Sequence, residues 1–178
     1  MNEDQRSTDL KRFIRDVPDF PKPGILFKDI TPLLGDRRAF TTAIDLLTEL
    51  HVQDKIDMVL GIESRGFLFG APLALRLGAG FVPVRKPGKL PADKVREEYA
   101  LEYGTDAVEM HRDAIVRGAR VLVVDDVIAT GGTALAAIKL AGKLGAEVVG
   151  AAFFVELGFL EGRARLEPTR VTSVLRYG

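Results

Sequence analysis

The sequence predicts an α/β fold built on a five-stranded, mainly parallel sheet flanked by helices. Three observations carry that expectation. Val121–Val124 is a run of four apolar residues, three of them β-branched, which suits a strand buried on both faces, and such strands belong to parallel sheets covered by helices. Comparable apolar runs recur near residues 58, 81, 148 and 171. Residues 58–77 and 121–145 each read as strand, turn and helix, the unit from which right-handed parallel crossovers are made.

The elements follow in order. Residues 2–15 are expected to form a partly amphipathic helix with Leu10, Phe13 and Ile14 on one side, ended by Pro18 and Pro21. Residues 20–35 combine three prolines after Phe20 with Ile25, Leu26, Phe27 and Ile30, little backbone freedom with much to bury; the segment reads either as a loop folded over a ligand or as core packing. Asp36 is placed to cap a helix over 37–50 whose Phe40, Ile44, Leu47 and His51 recur at helical spacing. Met58–Ile62 is a strand, 63–66 a turn and 67–77 a helix. Arg65 in that turn has the bidentate donor geometry that suits phosphate, although Glu63 and Arg65 neutralising each other would explain both.

Phe81–Val84 is a strand that runs into Arg85, Lys86 and Lys89. Residues 92–112 alternate apolar and polar on either side of Gly104-Thr105-Asp106, which predicts a hairpin inserted into the α/β pattern, and 86–112 as a whole reads as a movable flap. After the 121–133 stretch come a helix ending near Gly145, a strand over 148–157, a short turn or helical piece to Arg165, and a last strand over 171–175.

Composition narrows the function classes. At 178 residues the chain is expected to be a single domain, long enough to bury a core without metal or disulfide. Lys plus Arg and Asp plus Glu balance at 25 each, so no net field favours a nucleic acid partner. No apolar run has membrane-spanning length and Met1–Arg6 lacks the features of a secretory signal, so the expectation is a cytoplasmic protein without membrane contact. The absence of cysteine excludes disulfides and thiol chemistry, while His51 and His111 are isolated and read as structural or surface residues. Any metal must meet oxygen ligands.

Residues 121–133, Val-Leu-Val-Val-Asp-Asp-Val-Ile-Ala-Thr-Gly-Gly-Thr, hold the chemistry. Ligands of open α/β sheets bind beyond the carboxyl ends of the strands, where Asp125 and Asp126 are expected to emerge. Ala129, Thr130, Gly131, Gly132 and Thr133 form a loop whose amides, with the positive end of the following helix, suit a phosphate. Ionised carboxylates only accept hydrogen bonds, so the two acids suit sugar hydroxyls, and together the features describe a ribose 5-phosphate site. No G-x-G-x-x-G is present and no Lys follows the glycines, which argues against dinucleotide binding and triphosphate hydrolysis.

An apolar run, two acids and Thr-Gly-Gly-Thr resemble the phosphoribosyl pyrophosphate (PRPP) signature of the type I phosphoribosyltransferases. Pro23–Leu34, Glu63–Phe67, Arg85–Pro91 and Tyr99–Gly104 narrow the resemblance to the adenine phosphoribosyltransferase family, over residues 10 to 175 in unbroken order. The resemblance implies the type I fold with a small hood at 20–35 and the inserted flexible hairpin. It implies transfer of the phosphoribosyl group from PRPP to adenine, giving AMP and pyrophosphate in purine salvage, with Mg2+ carried mainly on the diphosphate, and a homodimer. Residue by residue it implies Glu102 as the base and Arg65 as a catalytic cation, with Asp125 and Asp126 on the ribose hydroxyls and residues 129–133 on the 5-phosphate. Ser64, Arg65, Arg85, Lys86 and Lys89 would serve PRPP, and Ile25, Phe27 and Lys28 the adenine, with Lys28 standing where the family commonly has Arg. A transferase for another purine or orotate would share residues 121–133 but differ at 23–31 and 99–104. A PRPP-sensing regulator would want a nucleic-acid surface, and neither a winged-helix extension nor a basic excess is visible.

Overall fold

The computed structural model describes residues 3–100 and 104–178. The chain divides into two compact units, Met1–Leu46 and Leu47–Gly178.

In the first unit, helix α1 (Glu3–Leu10) stops earlier than the sequence pattern suggests, and a 3-10 turn (Lys11–Phe13) follows it. Strand β1 (Arg15–Pro18) then pairs antiparallel with β2 (Leu26–Asp29). Pro18 disfavours helical angles at Val17, and a β-branched residue there accepts the extended form readily. Opposite charges face each other across the ribbon, Arg15 opposite Asp29 and Asp16 opposite Lys28. Asp29 also accepts from the Thr31 amide at 2.9 Å, where α2 (Thr31–Gly35) begins. Asp36 caps α3 (Arg37–His51) as expected, its Oδ1 accepting from the Arg38 and Ala39 amides at 2.9 and 2.8 Å, and the helix runs on past Leu46, where the first unit ends.

The second unit holds the main sheet. Its strands are β3 (Met58–Ile62), β4 (Gly80–Val84), β7 (Arg120–Ile128), β8 (Glu147–Leu157) and β9 (Val171–Tyr177), all parallel in the order β4-β3-β7-β8-β9. Helix α4 (Gly66–Leu77) connects β3 to β4 and α5 (Gly132–Lys143) connects β7 to β8; the short α6 (Gly162–Arg165) precedes β9. Val121–Val124 are all fully buried, as a central parallel strand requires. Val121 and Val123 pack with Ala136, Ala137, Leu140 and Ala141 of α5 in the core, each large apolar side chain buried this way contributing about 1.5–3 kcal/mol.

Strands β5 (Lys94–Ala100) and β6 (Thr105–His111) form the expected antiparallel hairpin. Its described part is built into the unit: Tyr99, Val108 and Met110 belong to the same core as α5. The Arg85 and Glu109 backbones exchange hydrogen bonds of 2.9 and 2.7 Å, which joins β6 to the end of β4.

His51, read from sequence as structural or surface, is 1% exposed. Its Nδ1 lies 2.7 Å from Asp54 Oδ2 and its Nε2 2.8 Å from Thr172 Oγ1, and burial pushes its pKa down despite Asp54. Among the described residues no helix is long and apolar enough to cross a membrane.

Candidate functional site

Strand β7 does not end before its acids. It pairs with β8 as far as Ile128 opposite Glu156, so Asp125 and Asp126 lie inside the strand rather than beyond it. The chain leaves the sheet at Ala129 and turns through Gly131, whose φ of 77° favours glycine, into α5 at Gly132. A β-carbon on Gly131 would stand 2.6 Å from the Gly162 carbonyl oxygen, and one on Gly162 would stand 2.2 Å from that of Ala129. Two glycines therefore let the loop rest directly on the chain that enters α6. The first amides of α5 have no acceptor within the helix, and its positive end faces the same way. Residues 127–134, Asp125 and Phe153 line a recess of about 100 Å³ there.

The two acids sit deeper than ionised surface acceptors would. Asp125 Oδ1 accepts from the Asp126 amide at 2.8 Å. A β-carbon on Gly66 would come within 2.9 Å of that same oxygen, so α4 approaches β7 only because it starts with glycine. Burial, and then the neighbouring Asp126 charge, push the Asp125 carboxyl well above the usual range. Burial also raises Asp126, against the pull of Arg65. Arg65 Nε lies 2.9 Å from Asp126 Oδ2 as an ion pair, but the contact lacks hydrogen-bond alignment, and among the described residues that buried oxygen accepts no hydrogen bond.

Glu63 settles the question raised at 63–66, because its partner is Arg85 and not Arg65. Its Oε2 accepts from Arg85 Nε at 2.9 Å and from the Lys86 amide at 2.8 Å. The Arg85 hydrogen bond holds the Glu63 carboxyl below its ordinary range. The Arg85 guanidinium also lies 5.8 Å from the Phe67 ring centre. Lys86 Nζ donates to Tyr99 Oη at 2.7 Å and pairs with Asp106. The Gly88 amide donates to Glu109 Oε2 at 3.1 Å, while Lys89 and Ser64 are exposed.

The structure thus gathers Asp125 with residues 129–133 around the recess, Asp126 with Arg65, and Arg85 and Lys86 with Glu63 and the hairpin. Ile25, Phe27 and Lys28 belong to the first unit, where the Phe27 ring meets Phe20 edge-on at 5.1 Å and Lys28 Nζ donates to Asp16 at 2.6 Å. Glu102 lies outside the described residues. The sequence predicts Gly66 and Asp106 only as turn residues and assigns Gly162 no role. For Asp106 a signal existed, since setting the two hairpin strands in register puts it opposite Tyr99.

Among the described residues no group of three or more His, Asp or Glu side chains could hold a metal ion.

The family profile for the phosphoribosyl transferase domain matches residues 34–174. The adenine phosphoribosyltransferase of Thermotoga maritima is 59% identical over 169 residues, 95% of this chain and 98% of that protein. The crystal structure of the adenine phosphoribosyltransferase from Thermoanaerobacter pseudethanolicus superposes with a TM-score of 0.94 at 52% identity, covering 96% of this chain and 99% of the other. That from Saccharomyces cerevisiae, complexed with adenine and an imino-altritol bisphosphate, superposes with a TM-score of 0.92 at 44% identity, covering 97% and 99%. With the recess, the buried acids and the glycine-bearing loop all in the matched region, the chain belongs to the adenine phosphoribosyltransferase family.

Proposed function

We infer that this chain transfers the 5-phosphoribosyl group of PRPP to adenine, releasing AMP and pyrophosphate, in purine salvage. The observation that carries the reading is the recess at the start of α5, where a loop with a positive-φ glycine and a helix amino terminus meets the Asp125 carboxyl. The yeast relative, with adenine and a bisphosphate bound, supports the same pair of ligands.

In this reading the 5-phosphate takes the amides of residues 129–133, and Asp125 and Asp126 take the ribose hydroxyls. Adenine N9 forms the new bond to C1 of the ribose as the C1–O bond to pyrophosphate breaks, and the leaving group departs with the electron pair. Arg65, Lys86 and Lys89 attract the charge that develops on the diphosphate, with Arg85 and Ser64 completing that wall. Mg2+, when bound, would supply further neutralisation of that charge beside these cations. Glu102 takes the purine proton. Ile25, Phe27 and Lys28 are assigned to adenine on the resemblance of the 23–31 segment. The resemblance makes residues 86–112 the segment that covers the reaction, with its described strands packed into the core. The homodimer is proposed on the family resemblance, and sedimentation velocity reads it.

The test offers PRPP and Mg2+ with adenine, hypoxanthine, guanine, xanthine or orotate in separate reactions. Nucleotide and pyrophosphate should form with adenine. Turnover of another base instead would move the error to the adenine assignment, and PRPP binding without any turnover would favour a regulator.

A further inference from the structure

Lys86 is held at both ends. Its backbone amide donates to Glu63 at 2.8 Å, and its Nζ reaches across to the hairpin, donating to Tyr99 Oη at 2.7 Å and pairing with Asp106. Tyr99 Oη donates in turn to Asp106 Oδ2 at 2.9 Å, so the three groups close a ring of hydrogen bonds. Asp106 is itself fixed, its Oδ1 accepting from the Ala107 amide at 2.7 Å. Tyr99 is 8% exposed and its ring lies 5.3 Å from the ammonium, so the group is anchored to the core of the second unit through Tyr99.

Stoichiometry gives this ring a direction. A lysine ammonium has three donors on a flexible stem, and two are taken by Tyr99 and Asp106. One N–H remains, and the Lys86 side chain is still 36% exposed. The same Tyr99 ring stands 3.5 Å from the position a β-carbon on Gly132 would occupy, so the group that fixes Lys86 lies beside the start of α5.

We propose that Asp106 and Tyr99 are positioning residues that hold the Lys86 ammonium with its last N–H turned outward for the diphosphate of PRPP. The proposal rests on the reading above that Lys86 serves the diphosphate. Neither residue touches the substrate; they act by fixing one cation that would otherwise sample many rotamers. Asp106 lifts the Lys86 pKa despite its burial, which keeps the ammonium charged. An opposite reading of the same contacts is available to experiment: Asp106 could compete with the diphosphate for Lys86, and then its removal would tighten binding.

The test is a double-mutant cycle read by calorimetry with pyrophosphate and Mg2+, and with AMP as a control ligand that has no diphosphate. Tyr99→Phe keeps the ring and Asp106→Asn keeps the shape, so folding is preserved and is checked by AMP affinity. Each should weaken pyrophosphate binding about tenfold and leave AMP within about twofold. In a Lys86→Ala background, itself weakened for pyrophosphate, neither should weaken it further. Tighter or unchanged pyrophosphate binding in Asp106→Asn would overturn the proposal while leaving Lys86 as a diphosphate ligand. An equal loss in both backgrounds would also overturn it, since Asp106 would then act without Lys86. If Lys86→Ala alone changed nothing, the reading of Lys86 itself would fall, and the positioning role with it.

Discussion

At the scale of single residues, the burial of Asp125 sets its charge against stability. Its carboxyl is buried beside a second acid, and its raised pKa means that the folded chain keeps a proton the unfolded chain releases above its ordinary value of 3.8. Stability from this group is therefore greatest at low pH and declines as pH climbs through the folded value. Asp125→Asn keeps an oxygen for the Asp126 amide and removes the charge, so its thermal midpoint at neutral pH should rise above wild type, with the gap closing in acid. If Asp125 accepts from a ribose hydroxyl as proposed, the same change should also weaken PRPP binding, about 10- to 100-fold. A gap between variant and wild type that stayed constant down to acid pH would show that the Asp125 charge is not what costs stability. Glu102→Gln tests the proton acceptor: turnover should fall by about 10² to 10⁴ while PRPP affinity stays close to wild type, and normal turnover would remove Glu102 from the mechanism. Residue types and spacing in the sequence pointed to both acids and to the loop. They could not show burial, which depends on where β7 ends and on the approach of Gly66.

At the scale of elements, the loop at residues 129–133 is shaped from below as well as from within. Gly162→Ala would drive a β-carbon into the Ala129 carbonyl, and relief of such a clash costs about 1–3 kcal/mol. The expected outcome is a lower thermal midpoint together with weaker AMP binding, whereas a loss of stability with AMP affinity intact would mean that the loop holds its shape without this support. The five parallel strands, α4, α5 and the hairpin were legible because their hydrophobic periods are strong and Gly or Pro marks their ends. The β1–β2 ribbon was not. Arg15–Pro18 has one apolar side chain besides its proline, and its register comes from charge pairs with residues 28 and 29 that a local reading cannot supply. The extent of β7 was hidden for a related reason, since Asp125 and Asp126 interrupt the apolar run while the ladder to β8 continues through Ile128.

At the scale of the whole molecule, balanced charge removes any general attraction for polyanions, so affinity for a phosphorylated ligand must come from local geometry. The second unit places a helix terminus after β7, a buried acid pair within that strand and the Arg65 and Lys86 cations after β3 and β4, and the proposed function rests on that arrangement. The central claim is that the recess before α5 holds a 5-phosphate. The most direct measurement compares AMP with adenosine by calorimetry on the intact protein, since the two ligands differ only in that phosphate. The account predicts that AMP binds at least about 100-fold more tightly, the sum of several charge-assisted hydrogen bonds to loop amides, and that Gly131→Val abolishes most of the difference. Equal affinity for AMP and adenosine, or a difference untouched by Gly131→Val, would contradict it.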